Sequence, residues 1–202
     1  LKHYKNHFKD KTIYCNCDDP KQSNFWQYFH LNFNHFGLKK LIATHFHETE
    51  PTYKIEYDGS DDNNCDIGVV TNLETNGDFR SPECIALLQE ADIVVTNPPF
   101  SLFREYVAQL IDYDKKFIIM GNNNAITYKE FFPLLKDNKV WLGFTSNKTC
   151  VFRVPPEYNH DAKITNDIND GKRYGKVPAI SWFTNLDIIK RHETLDLIEK
   201  YT

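Results

Sequence analysis

Residues 92–96 (DIVVT) form a short apolar run that stops at Asn97, Pro98 and Pro99. Continuous apolar runs of this length are typical of strands buried in the middle of a parallel sheet. Proline has no amide hydrogen to give to a sheet, so the strand has to end before it and a stiff turn has to follow. The segment therefore predicts a central strand whose carboxyl end carries a rigid loop.

Other strand-like runs alternate with amphipathic helical segments through the first two thirds of the chain. The clearest helical segment, residues 22–36, has aromatic residues at three- and four-residue steps and is followed by Gly37, a common helix terminator. Ser81 followed by Pro82 has the pattern of a helix start. This alternation predicts one α/β domain over residues 1–202, with a mostly parallel sheet and helices on both faces. The predicted strands are 11–16, 40–46, 53–57, 92–96, 117–121 and 140–144, and the predicted helices are 22–36, 81–89, 101–113 and 128–135.

Charge and composition limit the functional classes. The chain has 24 Lys and Arg against 28 Asp and Glu, a formal net charge of -4, which counts against a broad nucleic-acid surface but leaves room for a local basic groove. No run of about twenty apolar residues exists, so no membrane span is predicted. Five cysteines without the dense spacing of a secreted scaffold predict a reducing, cytoplasmic setting.

The Asn97 loop offers hydrogen-bond acceptors held in a fixed arrangement. The side-chain carbonyl of Asn97 and the carbonyls of Pro98 and Pro99 suit a group with two N–H donors, such as an exocyclic amino group, and Phe100 offers a flat face for an aromatic base. Acceptors on both hydrogens raise the electron density at the nitrogen, so it can attack a methyl group without a titrating general base. The alternative is an ordinary proline-stiffened turn. The position at a strand's carboxyl end, where α/β sheets bind ligands, favours a site.

The run "EADIVVTNPPFSLFREYV" closely resembles the amino-methyltransferase motif of the EcoRI-type adenine-specific DNA methyltransferases. The resemblance extends to "KTIYCNCDDPKQSNFWQYF", "GLKKLIATHF", "GDFRSPECIALL", "KKFIIMGNNNAITYKEFF", "KVWLGF" and "SWFTNLD", and so covers residues 11–187. It implies a Rossmann-like fold, S-adenosylmethionine as the methyl donor, and duplex DNA as the partner, with the target adenine turned out of the helix. It also implies that the chain is part of a longer protein, because family segments expected at both ends are missing.

The resemblance also assigns roles to individual residues. It implies catalysis by the loop Asn97, Pro98, Pro99 and Phe100. The loop after the first strand is implied to hold the methionine part of the cofactor, although the usual glycine-rich sequence is absent. Thr44 and His45 stand where the family has an acidic residue for the ribose, and Asp78 with Phe79 is implied to bind the cofactor's adenine. The expected cofactor contacts are Asn16, Cys17, Asp18, Asp19, Thr44, Asp78 and Phe79.

Residues 145–176 differ in composition from the rest of the chain, being rich in Asn, Asp, Gly and Lys with little periodicity. A strand is predicted at 150–154, and another at 179–184, beyond this segment. The rest of residues 145–176 is predicted to form a long loop, and loops of this length are usually functional. We expect target recognition and phosphate contacts here. The candidate DNA contacts are Lys148, Arg153, Lys172, Arg173 and Lys176.

Other assignments remain open at this point. Protein glutamine methyltransferases use a similar loop, usually with Tyr in place of Phe100, and a non-catalytic nucleic-acid-binding module of the same fold would keep the motif without turnover. A zinc site from Cys15, Cys17, His45 and His47 is the weaker interpretation, because strand-borne pairs lack the usual ligand spacing. Residues 61–64 lack the glycine and distal glutamate of a calcium loop, so a solvated turn is expected there.

Overall fold

The computed structural model describes residues 1–60, 68–145, 150–154, 163–166, 172–177 and 179–194. The strands of this part of the chain form a large sheet of eight strands and a small sheet of three. In chain order they are β1 (Thr12–Cys15), β2 (Lys40–Thr44), β3 (Tyr53–Tyr57), β4 (Val69–Asn72), β5 (Ile93–Thr96), β6 (Lys116–Asn122), β7 (Trp141–Leu142), β8 (Cys150–Arg153), β9 (Lys163–Asn166), β10 (Arg173–Val177) and β11 (Ile180–Thr184).

The large sheet has a parallel centre and antiparallel flanks. Its strand order is β4-β3-β2-β1-β5-β6-β11-β7, and the four central strands β2, β1, β5 and β6 run parallel. Strand β2 pairs with one edge of β1, and β3 and β4 follow on that side. Strand β5 pairs with the other edge of β1, so the direction in which strands are added reverses there. The carboxyl ends of β1 and β5 therefore flank a topological switch point, which is where open α/β sheets hold their ligands.

Helices cover both faces of this sheet, as predicted. They are α1 (Asn24–Leu31), α2 (Phe33–Phe36), α3 (Pro82–Glu90), α4 (Phe103–Asp112) and α5 (Phe132–Lys136). Successive strand residues point to opposite faces, so Tyr14 packs with Phe103 and Tyr106 on one face while Ile13 packs with Trp26 and Phe29 on the other. The predicted Rossmann-like arrangement is confirmed, with two apolar cores separated by the sheet.

The long helix predicted over residues 22–36 is divided at Asn32. The amide side chain of Asn32 donates a 2.8 Å hydrogen bond to the carbonyl of Tyr28, and its backbone leaves the helical region. Asn side chains compete in this way for backbone partners and interrupt helices. The aromatic spacing continues across the break, which explains why the sequence pattern did not reveal it. The predicted caps at Ser81 and Gly37 are confirmed.

Three predictions about strands were wrong. Strand β4 was not predicted, and its residues are exposed at the edge of the sheet. The predicted strand at 140–144 is only Trp141–Leu142. The described part of the presumed long loop forms the small antiparallel sheet, in the order β8-β10-β9. In each case the strand lies outside the buried centre of the large sheet, so its sequence carries little hydrophobic pattern. Residues 61–64 lie outside the described residues.

No helix among the described residues is long and apolar enough to cross a membrane.

Candidate active site

The loops that follow β1 and β5 meet at the switch point, and hydrogen bonds join them. The hydroxyl of Thr96, at the end of β5, donates to the carbonyl of Asn16 at the end of β1. The Tyr106 hydroxyl from α4 donates to the Asn16 side-chain oxygen over 2.5 Å. Because Asn16 is 3% exposed and its side-chain oxygen has this partner, it holds the loop rather than facing a ligand. Asn16 lines neither of the two pockets described below, and its cofactor contact stays a prediction.

The Asn97 loop has the acceptors that the sequence predicted, with one change. The Oδ1 atom of Asn97 is buried, and no described residue donates a hydrogen bond to it. The carbonyl of Pro99 accepts the backbone N–H of Leu102 over 3.0 Å, so only the Pro98 carbonyl is left without a described donor. Phe100 follows at 40% exposure. A buried acceptor without a donor costs about 1–3 kcal/mol, so this loop is arranged for a donor that comes from a ligand.

One pocket, here the Asn97 pocket, brings the two loops together in a volume of about 700 Å³. It joins Asn97 and Phe100 to Asp18 and Asp19. It also has aromatic walls that the sequence did not identify. These come from Phe25 of α1, Trp182 of β11 and Phe152 of β8.

A second pocket, here the Phe79 pocket, lies on the other side of the same loops. Its lining includes Cys17, Phe46, Asp78 and Phe79, and Pro99 and Leu102 close it. Phe79 is fixed by an edge contact with the Tyr106 ring at 5.0 Å and by a hydrogen bond from Gln109 to its carbonyl. Asp78 and Phe79 thus share a pocket with Cys17, while Asp18 and Asp19 face the adjoining Asn97 pocket.

Asp78 is an ionised acceptor held in place by its neighbour. Arg80 donates to both of its carboxylate oxygens, at 2.9 and 2.7 Å, and the backbone N–H of Arg80 adds a bond of 2.8 Å. These contacts hold the pKa of Asp78 below its usual value. Each carboxylate oxygen can accept more than one hydrogen bond, so Asp78 keeps capacity for a donor from a ligand.

Asp18 and Asp19 are adjacent in sequence but differ in charge state. Burial raises the pKa of Asp18 to about 6. Burial also acts to raise the pKa of Asp19, but hydrogen bonds from the Tyr53 hydroxyl at 2.6 Å and the Lys21 backbone at 3.0 Å outweigh it, and the pKa is lowered. The site therefore contains one fixed carboxylate and one that titrates near neutral pH, which sequence reasoning had not anticipated.

Thr44 does not face either pocket. Its side chain is fully buried and its hydroxyl is hydrogen-bonded to that of Tyr14 over 3.0 Å. The next residue, His45, reaches the carboxyl edge of the sheet instead. Thr44 is thus placed in the core beside Tyr14, and the cofactor contact predicted for it stays a prediction that the two pockets do not support.

The four residues considered for zinc are not gathered into one ligand set, although the rings of His45 and His47 lie 5.9 Å apart. Cys15 is buried in the core on the α1 side of the sheet, whereas Cys17 lines the Phe79 pocket. The Nδ1 atom of His47 accepts backbone N–H groups from Thr49 and Glu50. Among the described residues no group of three or more His, Cys, Asp or Glu side chains is arranged to hold a metal.

The basic residues of the small sheet divide between its two faces. Directly paired residues of an antiparallel sheet share a face, so the pairing of Arg153 with Tyr174 places Arg153 on the face that also carries Lys176. Phe152 and Arg173 lie on the opposite face, and Phe152 lines the Asn97 pocket. Of the basic residues on β8 and β10, Arg173 is therefore on the side of the pocket. Lys172 is exposed just before β10. Lys148 lies outside the described residues.

Comparison with known proteins identifies the family. The model of the family described as "Adenine-specific methyltransferase EcoRI" matches residues 1–202. The Type II methyltransferase M.EcoRI of Escherichia coli is 45% identical over 217 residues, covering 100% of this chain and 66% of that protein. M.MpnI of Mycoplasma pneumoniae is 43% identical, and M.MgeORF184P of Mycoplasma genitalium 44%, each covering 91% of this chain and 56% of the relative. The chain thus spans about two thirds or less of these relatives, and no solved structure matches it. By its full-length match to the family model, this chain belongs to the EcoRI family of adenine-specific methyltransferases.

Proposed function

We propose that the protein containing this chain transfers a methyl group from S-adenosylmethionine to the exocyclic amino group of an adenine in duplex DNA. One observation carries the proposal. The buried Oδ1 of Asn97 has no described donor and lies in the same pocket as the exposed ring of Phe100 and the carboxyl groups of Asp18 and Asp19. An acceptor beside a flat aromatic face suits an aromatic amine. The relatives named as Type II methyltransferases support the same assignment.

The chemistry of the two pockets suits the two ends of the proposed methyl donor. The Phe79 pocket offers the rings of Phe46 and Phe79 with the ionised acceptor Asp78, which suit an adenine ring and its amino group, but its volume is about 60 Å³, so binding has to widen it. In the Asn97 pocket, Asp18 and Asp19 offer negative charge for the ammonium group of the methionine part. When bound, S-adenosylmethionine supplies an electrophilic methyl group on a sulfonium ion.

The residues of the Asn97 loop act on the amino nitrogen. Its lone pair is delocalised into the base, so it is a weak nucleophile. Hydrogen bonds to the Asn97 side chain and the Pro98 carbonyl withdraw the two hydrogens from the plane of the ring and return electron density to the nitrogen. These acceptors also stabilise the positive charge that develops on nitrogen as the methyl group is transferred. Because the loop is held at its start by the Thr96 bond to the Asn16 carbonyl and at its end by the Leu102 bond to the Pro99 carbonyl, it needs little reorganisation during the reaction.

The target base has to leave the duplex to reach this loop, because pairing occupies its amino group. Phe100 supplies a stacking face for the turned-out base, and Phe152 of the small sheet lines the same pocket. Arg173 lies on the Phe152 side of the small sheet, where a backbone phosphate next to the target would pass. These basic contacts allow DNA binding by a chain whose net charge is -4.

We place this reaction in the cytoplasm. Cys15, Cys17 and Cys84 are free thiols, and thiols of this kind persist in a reducing compartment.

The test is transfer of labelled methyl groups by the full-length protein to duplex DNA of mixed sequence, followed by identification of the modified nucleoside. We expect label on the amino group of adenine. Label on cytosine or on protein would refute the assignment, the second outcome in favour of a protein amide substrate. Binding of S-adenosylhomocysteine without any transfer would indicate a module that has lost turnover.

A further inference from the structure

The segment that leads into Asp78 contains the dipeptide Asn76-Gly77. Gly77 has a φ of 74° and lies directly on the carbonyl of His45, where a Cβ atom would collide with that oxygen. No other residue fits this path, because every other residue carries a Cβ and is strained at positive φ. Asn76 is exposed to solvent. The close approach of two segments of the chain therefore requires a glycine directly after an exposed asparagine.

The side chain of Asn76 bends forward over the peptide that follows it. Its Oδ1 atom accepts the backbone N–H of Asp78 over 3.1 Å, the bond of an Asx-turn. The backbone carbonyl of Asn76 accepts the N–H of His47 over 3.2 Å. This turn keeps the side-chain carbonyl carbon of Asn76 near the backbone nitrogen of Gly77. The N–H of Gly77 donates to no described residue, and without a Cβ atom the residue leaves its nitrogen open to approach.

We propose that Asn76 is a site of spontaneous covalent modification, and that the modified chain loses its site for the methyl donor. The nitrogen of Gly77, after giving its proton to hydroxide, attacks the side-chain carbonyl carbon of Asn76. A C–N bond forms, the bond to the side-chain nitrogen breaks, and ammonia leaves with a proton from water. The N–H of Asp78 stabilises the oxyanion formed between these steps. Water then opens the five-membered imide at one of its two carbonyls, which leaves aspartate or isoaspartate at position 76.

The two products differ in their effect on the Phe79 pocket. Aspartate keeps an acceptor for the Asp78 N–H and leaves the backbone unchanged. Isoaspartate routes the backbone through the former side chain and adds a methylene group before Gly77. Gly77, Asp78 and Phe79 all line the pocket, and the contact of Gly77 with the His45 carbonyl leaves no room for the added atom, so these residues are displaced. The effect on binding rests on the proposed function, because it assumes that this pocket holds the adenine of the methyl donor.

The experiment follows the modification by mass and its consequence by binding. The full-length protein is kept folded in mildly alkaline buffer and sampled over time, and fragmentation of its peptides assigns each change to a residue. We expect Asn76 to gain about one dalton and its peptide to divide into aspartate and isoaspartate forms. Asn72, which is also exposed but is followed by Leu73, should remain unmodified. Calorimetric titration with S-adenosylhomocysteine should show a stoichiometry that falls by the fraction of isoaspartate formed.

Two variants test whether the modification causes the loss. Asn76→Ser keeps a side-chain oxygen for the Asp78 N–H but cannot form the imide, so it should bind like fresh wild type and keep its stoichiometry on storage. Asn72→Ser is the matched control and should lose binding as the wild type does. An unmodified Asn76 in aged folded protein, or isoaspartate with undiminished stoichiometry, overturns this inference and leaves the proposed function standing. A fresh wild type that does not bind S-adenosylhomocysteine overturns the proposed function and the binding consequence, whereas the masses still decide the modification.

Discussion

Replacing Asp18 by Asn should remove a pH dependence from binding of the proposed methyl donor. Burial raises the pKa of Asp18 to about 6 from an ordinary 3.8, so in the free protein this carboxyl is about half ionised at pH 6. A positively charged ligand group prefers the ionised form. Affinity should therefore be maximal above about pH 7 and should fall roughly tenfold for each pH unit below 6.

Proton release gives a sharper measurement than affinity. If the ligand's ammonium group holds Asp18 ionised in the complex, binding at pH 6 releases about half a proton, which titrations in buffers of different ionisation enthalpy detect. Asp18→Asn should abolish this release. Asp19→Asn is the comparison: it also removes a carboxylate from the ligand site and should weaken binding, but it should keep the proton release, because the pKa of Asp19 is lowered and its carboxylate is already ionised at pH 6. Equal proton release by the wild type and Asp18→Asn would refute the reasoning.

The same group affects stability with a defined sign. The pKa of Asp18 is higher in the folded protein than in the unfolded chain, so between about pH 4 and pH 6 the folded state binds more protons. The contribution of Asp18 to stability should therefore decrease as pH rises through this window and become constant above it, while carboxyl groups with lowered pKa, such as Asp78 and Glu56, contribute with the opposite sign. The test is the difference between the two proteins: relative to the wild type, Asp18→Asn should gain stability between pH 4 and pH 7, which denaturant unfolding at both pH values measures.

Three further predictions concern other parts of the site. Asn97→Ala should lower the single-turnover rate of methyl transfer by about 10²–10³ without changing S-adenosylhomocysteine affinity, and equal losses in both would contradict its assigned role. Cys17 has a φ of 68°, so Cys17→Gly should be about 1 kcal/mol more stable than Cys17→Ala in denaturant unfolding. The opposite order would show that this backbone is unstrained. Arg173→Ala should reduce the salt dependence of DNA binding by about one unit of slope, and Arg153→Ala, on the other face, should change it less.

The parts of the site that the sequence predicted correctly are local in the chain. Residues 92–96 and the prolines after them determine a buried strand and a stiff loop by their own chemistry. Asp78 and Phe79 were likewise recognised from a short segment and do line one pocket with Cys17. The switch point follows from the order of strands, which the alternation of strands and helices already suggested.

The parts that were missed depend on contacts between distant residues. The sequence near Asn16 gave no sign that Tyr106, ninety residues further along the chain, donates to its side-chain oxygen. The raised pKa of Asp18 arises from burial in a pocket whose walls come from α1, β6, β8 and β11. Neither fact has a signal in the sequence near the residue concerned. In the small sheet the strand predicted at 150–154 is present as β8, whereas β9 and β10 were missed because their sequences lack the apolar pattern that marks a buried strand.

The first-strand loop adopts a positive φ without the glycine that such a conformation usually requires. Glycine is normally used where a loop has to adopt positive φ close to a ligand, because other residues are strained there. In this chain Cys17 adopts that conformation with a φ of 68°. The strain is tolerated because Asn16 on one side is bonded to both Thr96 and Tyr106, and Asp19 on the other is bonded to Tyr53. The bonds at both ends determine the path of the loop, so the absence of a glycine-rich sequence does not argue against a ligand site at this position.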